Sequence, residues 1–389
     1  MPSTQMKNLL YRAALPFLAA SPSKQLKHLE TGTPLTHFND YERILIKHHV
    51  LGSSLLLKDQ AHISQVHTTT QNPHHAAQDN TMYRVASITK MATALVTLMC
   101  VDEGLFTLDT TINSLLPKTE HTDRIAFITV RQLLCHTSGL QDVPEMDKAL
   151  RNGDTFDAVF AANCDHSKSA LTGQTMEYCN FGFGLLGCIL ENVTGRCISD
   201  LFRMKLFEPL GMRATLDATT LDESLIMPIS RVLPYKKGND VTITKLGRIP
   251  LDKPDPLRHF GHTAGAMYTD APSLARLLAL IAGGGIIDGK RHVSAEMIAE
   301  MTRVQASTPT RTYGLGLVIL NRPGISKHRL LGHQGFAYGC VDGAFIEEGT
   351  GRIVIFLNGG ASEAREGKLG LVNKDVLTWA FRKEFPTWM

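Results

Sequence analysis

The chain has 389 residues, with 40 Lys and Arg against 37 Asp and Glu, so its formal net charge is +3. With 43% hydrophobic and 20% charged residues, it has the composition of a globular protein able to bury a core, which excludes disordered, collagen-like and coiled-coil chains. A balance this near neutral argues against a nucleic-acid partner, which draws a basic excess to one face, and no uninterrupted apolar run reaches the ~18 residues of a membrane-spanning helix.

In chain order, residues 1–40 are polar and read as an extension or a lid. Within them, Met6-Lys7 followed by the run Leu9 to Ala20, with small residues at Ala19-Ala20, faintly resembles a secretory leader. Arg12 and Pro16 interrupt its apolar core, so a short amphipathic helix is expected instead. Two strand-like runs follow, Val50 to Leu57 and Ala61 to Val66, joined at Lys58-Asp59-Gln60 in a hairpin. From Ser87 the apolar residues at 88, 91, 92, 95, 98 and 99 recur with helical spacing until Gly104. Residues 105–260 read as mostly helical with loops, including Val130 to Cys135 and Gly182 to Val193. Ala271 to Ala282 is an apolar helix stopped by Gly283-Gly284-Gly285. Strand-like runs at Tyr313 to Leu320, Gly339 to Ile346 and Arg352 to Leu357 precede a closing helix, Leu369 to Phe385. Strands at both ends with helices between imply one sheet assembled from distant segments, with a helical region inserted.

The seven cysteines, at 100, 135, 164, 179, 188, 197 and 340, are scattered and form no CxxC pair. Neither a zinc ribbon nor a disulfide framework is expected. Free thiols suit a reducing cytosol, the compartment expected here, with a secreted or cell-envelope location the alternative if the N-terminal run is a leader.

Three short segments carry chemistry. In Ser87-Ile88-Thr89-Lys90 the hydroxyl and the amine lie one helical turn apart, roughly 5–6 Å between Cβ atoms. A serine hydroxyl is a poor nucleophile until its proton is removed, and a lysine of lowered pKa can remove it. A serine at a helix start also offers backbone N–H groups where negative charge develops. Alone, such a pattern more often marks a capping serine and a surface lysine. In Tyr178-Cys179-Asn180 a phenol can relay protons, and an amide can meet a substrate amide. Its plainer reading is a helix cap at Asn180. In Gly332-His333-Gln334-Gly335, two glycines let backbone and substrate approach closely around a histidine.

Together and in this order, the three segments resemble the serine β-lactamase and penicillin-binding-protein superfamily, and within it the class C β-lactamase, esterase and D-aminopeptidase branch. The resemblance covers roughly residues 45 to 385. It includes Tyr83-Arg84-Val85-Ala86 before the serine, Leu133 to Leu140, and Gly261 to Leu274. The Ser-x-x-Lys signature is accompanied in related enzymes by Ser-Asp-Asn and Lys-Thr-Gly boxes; here these read Tyr-Cys-Asn and His-Gln-Gly.

The resemblance implies an α+β fold of the β-lactamase/transpeptidase type, an antiparallel sheet flanked by helices with a mostly helical inserted subdomain. Residues 41–389 would form this domain, its α/β part about 41–110 and 262–389 and its helical part about 111–261. Ser87 would be the acylated nucleophile, Lys90 would help deprotonate it, and Tyr178 would be the general base or proton shuttle, coupled to Lys90. Asn180 would hold the substrate, His333 would line the opposite wall, and Gly335 would mark the oxyanion strand. The backbone N–H groups of Ser87 and Phe336 would face the tetrahedral intermediate. The missing third-box lysine, replaced by a histidine mostly neutral near pH 7, and Gln334 in place of a small residue both argue against strong β-lactamase activity. The expected activity is hydrolysis of a small-molecule ester, amide or peptide. Acyl transfer and a catalytically silent sensor module are the alternatives.

No cofactor and no metal are expected. Gly182, Gly184 and Gly187 match the spacing of a dinucleotide fingerprint but lie within a helical pattern, where they suit close helix packing. The histidines show no ligand spacing, and His136, before Thr137-Ser138-Gly139, is expected to order a turn. Substrate selection is expected to reside in the loops Gln141 to Asp165 and Ala218 to Pro256.

Overall fold

The computed structural model describes residues 26–69, 76–119, 121–152, 172–233 and 240–388, with isolated residues between 9 and 14 and between 155 and 159. The expected N-terminal amphipathic helix and Cys164 lie largely or wholly outside these residues.

A nine-stranded sheet is assembled from both ends of the chain. Strands β1 (Lys27–Gly32), β2 (Ser53–Lys58) and β3 (Ile63–Thr69) come from the N-terminal side. Strands β4 (Ala306–Thr308), β5 (Arg311–Tyr313), β6 (Val318–Leu320), β7 (Leu330–Ala337), β8 (Cys340–Glu347) and β9 (Ile353–Asn358) come from the C-terminal third. Across the sheet the order is β1-β3-β2-β9-β8-β7-β6-β5-β4, and each neighbouring pair is antiparallel. The two ends of the chain meet where β2 pairs with β9, Leu55 opposite Phe356 and Leu57 opposite Val354. The β2–β3 hairpin turns at Asp59, whose carboxylate accepts the N–H groups of Ala61 and His62 at 2.8 and 2.7 Å, as short acidic side chains do in turns.

Helices α1 (Phe38–Lys47), α2 (Thr89–Asp102), α3 (Val130–Leu134), α4 (Asn180–Thr194), α5 (His262–Gly265), α6 (Ala271–Ala282) and α7 (Leu371–Trp379) cover the sheet or build the helical part. Side chains alternate across a strand, and here both faces are covered. Leu55, Leu57, Val354 and Phe356 pack with Tyr41 of α1 and with Val372 and Trp379 of α7. Leu56, Ile353 and Ile355 face the other way, into the larger core with Leu95 of α2 and Leu277 of α6. Each such leucine, fully buried, contributes about 1.5–3 kcal/mol. Helix α6 begins where Asp270 accepts the N–H of Ser273 at 2.8 Å and stops at the expected glycines. Among the described residues no helix is long and apolar enough to cross a membrane, and the six described cysteines are free and buried.

Several expectations need correction. Residues 27–32 are built into the sheet as an outer strand against β3, and the boundary at residue 40 falls inside α1, so from residue 27 onward the expected extension is part of the domain. Their polar composition follows from an outer position with little burial. The run Tyr313 to Leu320 is not one strand but a turn between β5 and β6, with Gly316 at φ +69°. The Gly332-His333-Gln334-Gly335 segment, which carried no strand expectation of its own, is the middle of β7 and leads into β8.

The three spaced glycines in α4 serve packing. A Cβ at Gly184 would lie 2.1 Å from the Phe260 carbonyl oxygen, and one at Gly187 would lie 2.6 Å from Thr263 Oγ1. They bring α4 against the segment entering α5.

Candidate active site

Ser87 lies in a tight 3₁₀ turn, Ala86–Ile88, that leads directly into α2. It therefore precedes the α-helix instead of capping it, and its hydroxyl is left for other partners. Ala86 adopts φ +46°, an uncommon conformation for a residue with a Cβ, of a kind that concentrates at functional sites. The turn is held from both sides. Tyr83 is hydrogen-bonded to Ser54 of β2 at 2.8 Å. Gly335 of β7 runs so close that a Cβ there would lie 2.4 Å from the Val85 carbonyl oxygen. Helix α2 is buried nearly all round, which pulls Lys90 inside with it.

Lys90 is fully buried. Its Nζ lies 3.2 Å from Ser87 Oγ, and it donates to Asn180 Oδ1 at 2.8 Å and to the Ala264 carbonyl at 2.6 Å. Burial pushes its pKa down to about 7, opposed chiefly by the negative charge of Asp142. The Tyr178 phenol donates to Ser87 Oγ at 2.8 Å. Burial holds that phenol well above the ordinary tyrosine range, although the Ser87 contact and the charge of Arg311 work the other way. Tyr178 is therefore a protonated phenol at neutral pH.

The Tyr178–Asn180 segment is fixed by two residues that sequence reasoning did not assign to the site. Asp142 accepts the backbone N–H groups of Asn180 and Phe181 at 2.7 and 3.0 Å, and the Asn180 side-chain N–H at 2.7 Å. It caps α4 and turns the Asn180 carbonyl oxygen toward Lys90. His136, at φ +61°, packs its ring 4.4 Å from that of Tyr178, the two planes tilted by 37°. Its carbonyl accepts from Glu177 N at 2.8 Å, and its Nδ1 accepts from Cys179 N at 3.3 Å. The turn expected at His136 is present, and it supports the phenol. A third contributor is Arg311 of β5, whose guanidinium lies 4.8 Å from the centre of the Tyr178 ring. Asp142 lies within a loop already singled out, but no local pattern marks it as a cap for a helix beginning 38 residues later.

His333 stands on β7 with its ring 6.4 Å from that of Tyr178. Its burial and the charges of Lys90 and Arg311 hold it neutral, its pKa down to about 3. Gln334 and Phe336 point to the opposite face of the strand. Gln334 is tied to the Gly370 N–H at 3.1 Å, and the Arg365 guanidinium lies 3.9 Å over the Phe336 ring. Gln334 therefore braces β7 against the start of α7 and does not stand beside His333 as a recognition residue. Among the described residues, β7 beyond Gly332 pairs only with β8, because β6 ends its ladder opposite Leu330 to Gly332. The stretch His333 to Ala337 thus has an open edge.

One buried cluster could be taken for a metal site. Ligand atoms of Glu191, Cys197 and His259 lie within 4.8 Å of one another. Glu191, however, accepts from Ile198 N at 2.7 Å, Asp255 N at 3.0 Å and His259 Nδ1 at 2.8 Å. Cys197 donates to the Leu251 carbonyl at 3.0 Å. These groups satisfy one another and fasten the segment 251–259 to α4.

The family model described as Beta-lactamase matches residues 58–375. Penicillin-binding protein 4 of Amycolatopsis lactamdurans is 26% identical over 351 residues, covering 85% of this chain and 87% of that protein. Among solved structures, D-amino acid amidase from Ochrobactrum anthropi SV3, complexed with D-phenylalanine, superposes with a TM-score of 0.67 at 22% identity, covering 89% of this chain and 99% of that one. EstCE1, described as a hydrolase with promiscuous acyltransferase activity, superposes with a TM-score of 0.65 at 17% identity, covering 88% and 97%.

Proposed function

The chain belongs to the Beta-lactamase family, and from that premise we propose that it is a serine hydrolase of esterase or amidase type, acting through an acyl-enzyme on Ser87. The observation that carries this reading is the double contact on Ser87 Oγ: the Tyr178 phenol at 2.8 Å and the Lys90 amine at 3.2 Å.

Proton bookkeeping gives each partner a role. A neutral amine has two hydrogens and one lone pair. The carbonyl oxygens of Asn180 and Ala264 take the two hydrogens, so the lone pair faces Ser87. The serine hydroxyl then accepts from Tyr178 and donates to Lys90, the arrangement in which its proton leaves as Oγ attacks the carbonyl carbon. In this reading Lys90 is the general base and the buried phenol is the donor that protonates the departing alcohol or amine, recovering its proton from Lys90. That reverses the general-base role expected for Tyr178. Water then repeats the sequence on the acyl-enzyme. The backbone N–H of Ser87 and that of Phe336, on the open edge of β7, serve as oxyanion donors. The amidase and penicillin-binding relatives support amides as well as esters as substrates, and the neutral His333 supports weak β-lactamase activity.

The test is labelling. A fluorophosphonate and a penicillin-type probe are each incubated with the protein, and the modified peptide is sequenced by mass spectrometry. Attachment at Ser87, lost in Ser87→Ala, is the expected result. A folded protein that neither probe modifies at Ser87 overturns the reading.

A further inference from the structure

Beside Gln334, on the face of β7 opposite His333, lies a cavity of about 150 Å³ bounded by β5, β6 and the 365–370 turn. Three cations line it, Arg311, Arg322 and Lys368, with the hydroxyl-bearing Thr308 and Thr310, and none of the described residues lining it is acidic. Arg322 is already paired with Glu366 at 3.1 Å. Arg311 and Lys368 make no ion pair with any described residue. Partial desolvation and the positive charges of Arg311 and Arg365 push the Lys368 pKa down, whereas Arg365 has Glu363 to offset it. The turn that carries Lys368 is tied to β7, because its backbone carbonyl accepts from the Gln334 side chain. Two like charges are thus held within each other's field at the wall of one small cavity.

Pockets for drug-sized ligands run from about 300 Å³ upward, so this cavity suits a compact ion. We propose that it binds a tetrahedral dianion, free phosphate or the phosphate group of a small monoester, and that the occupant acts on the active site through Arg311. A dianion matches both uncompensated cations, where a carboxylate would leave one of them over, and oxyanions take strong charge-assisted hydrogen bonds from Arg and Lys. Arg311 belongs to both places. It lines the cavity, and its guanidinium lies 4.8 Å from the centre of the Tyr178 ring. Besides burial, the charges acting on Lys90 are those of Asp142, which raises its pKa, and of Arg84 and Arg311, which lower it. Cys179, Tyr178, His136 and His333, the other titratable groups around it, are uncharged near neutral pH. An anion that offsets Arg311 removes one of the lowering charges, so the Lys90 pKa rises and the acid limb of kcat/KM moves to higher pH.

Calorimetric titration of the full chain with inorganic phosphate and with phenyl phosphate, against sodium chloride of matched ionic strength, tests the cavity. One saturable site with a Kd of about 1 mM or tighter is expected, and the tighter of the two ligands tells whether the free ion or a monoester is the natural source. The double variant Lys368→Gln, Arg322→Gln should weaken binding at least tenfold. Both positions lie outside the catalytic groups, and Glu366 keeps Lys374 as a partner. The link to the active site is read with sulfate, which stays a dianion across the pH profile. Saturating sulfate should move the acid limb for p-nitrophenyl butyrate upward by about half a pH unit, and should leave it in place in the double variant. Absence of a saturable site, binding undiminished in the double variant, or a limb that saturating sulfate does not move overturns the proposal. The pH effect rests on the acyl-enzyme reading above, whereas the calorimetry needs no turnover. Saturable binding that the double variant loses, in a protein whose Ser87 is never labelled, would therefore sink that reading and keep the anion site.

Discussion

Ser87 and Lys90 stand one turn apart at the head of a helix that is buried nearly all round, whereas Tyr178 and Asn180 arrive from 90 residues further along the chain. The spacing of the first pair is set by helix geometry. The second is positioned by side chains from elsewhere: Asp142 capping α4 and orienting the Asn180 amide, His136 packed against the phenol ring, and Arg311 over the same ring. Burial also acts on the two halves with opposite sign. It disfavours charge in each, so it brings the lysine pKa down to about 7, where the neutral amine forms, and retains the proton on the tyrosine. One desolvated pocket thereby yields a neutral base and a neutral acid on the same hydroxyl.

The largest effect should come from the helix-borne half. Ser87→Ala should lower kcat/KM by about 10⁴-fold or more while leaving the thermal midpoint little changed, as checked by calorimetry beside an ester assay. Retained turnover would break the comparison at its root. Next, Tyr178→Phe should cost about 10²–10⁴-fold in kcat. The pH profile sharpens the division of labour. Lys90 must be neutral to accept the proton, so kcat/KM should fall as pH drops through about 7 and should hold a plateau on the alkaline side, since burial keeps the phenol protonated there. The same acid limb should survive in Tyr178→Phe. A limb that vanishes with the phenol would give the base role back to Tyr178.

These two halves differed in how far they could be read from the sequence, and for the same reason. Ser-x-x-Lys is a local spacing, and α2, α6 and the β2–β3 hairpin follow local patterns of period and turn chemistry, so each was legible. Asp142, His136 and Arg311 owe their roles to contacts across the fold, with no spacing to announce them. Strand β7 was hidden by its own chemistry. Gly332, His333 and Gly335 interrupt the apolar alternation: Gly335 passes against the Ser87 turn, and Gly332 lies against Ala344 and Phe345 of β8. Strand β1 was hidden by exposure, since an outer strand needs few apolar residues. The lysine pKa could be anticipated in direction only as a requirement of the chemistry; its cause is the burial of α2, which is a tertiary fact.

Asp142→Asn tests the loop-borne half at lower cost. Weakening the cap should remove about 1 kcal/mol of stability and reduce kcat/KM roughly tenfold, through misorientation of Asn180, at the scale of one hydrogen bond. The pH profile gives a readout that a purely structural role would not move. Asp142 carries the negative charge that raises the Lys90 pKa against burial, so removing it should shift the acid limb to lower pH. A shift to higher pH, or none, would mean that the carboxylate does not act on Lys90.

The smallest expected effect on catalysis comes from Gly184→Ala, in the body of α4 and away from both halves. The added methyl would meet the Phe260 carbonyl oxygen at 2.1 Å, so α4 and the segment entering α5 must separate. Overpacking of this kind costs about 1–3 kcal/mol, which lowers the thermal midpoint by several degrees. Because α5 also carries Ala264, whose carbonyl holds one hydrogen of Lys90 at 2.6 Å, the displacement has a route to the site. If kcat/KM well below the midpoint stays within about threefold of wild type, backbone geometry on α2 is enough to hold Lys90. A larger fall, with the acid limb displaced, would show that the helix-borne half also depends on tertiary contacts, and the two halves would be alike after all.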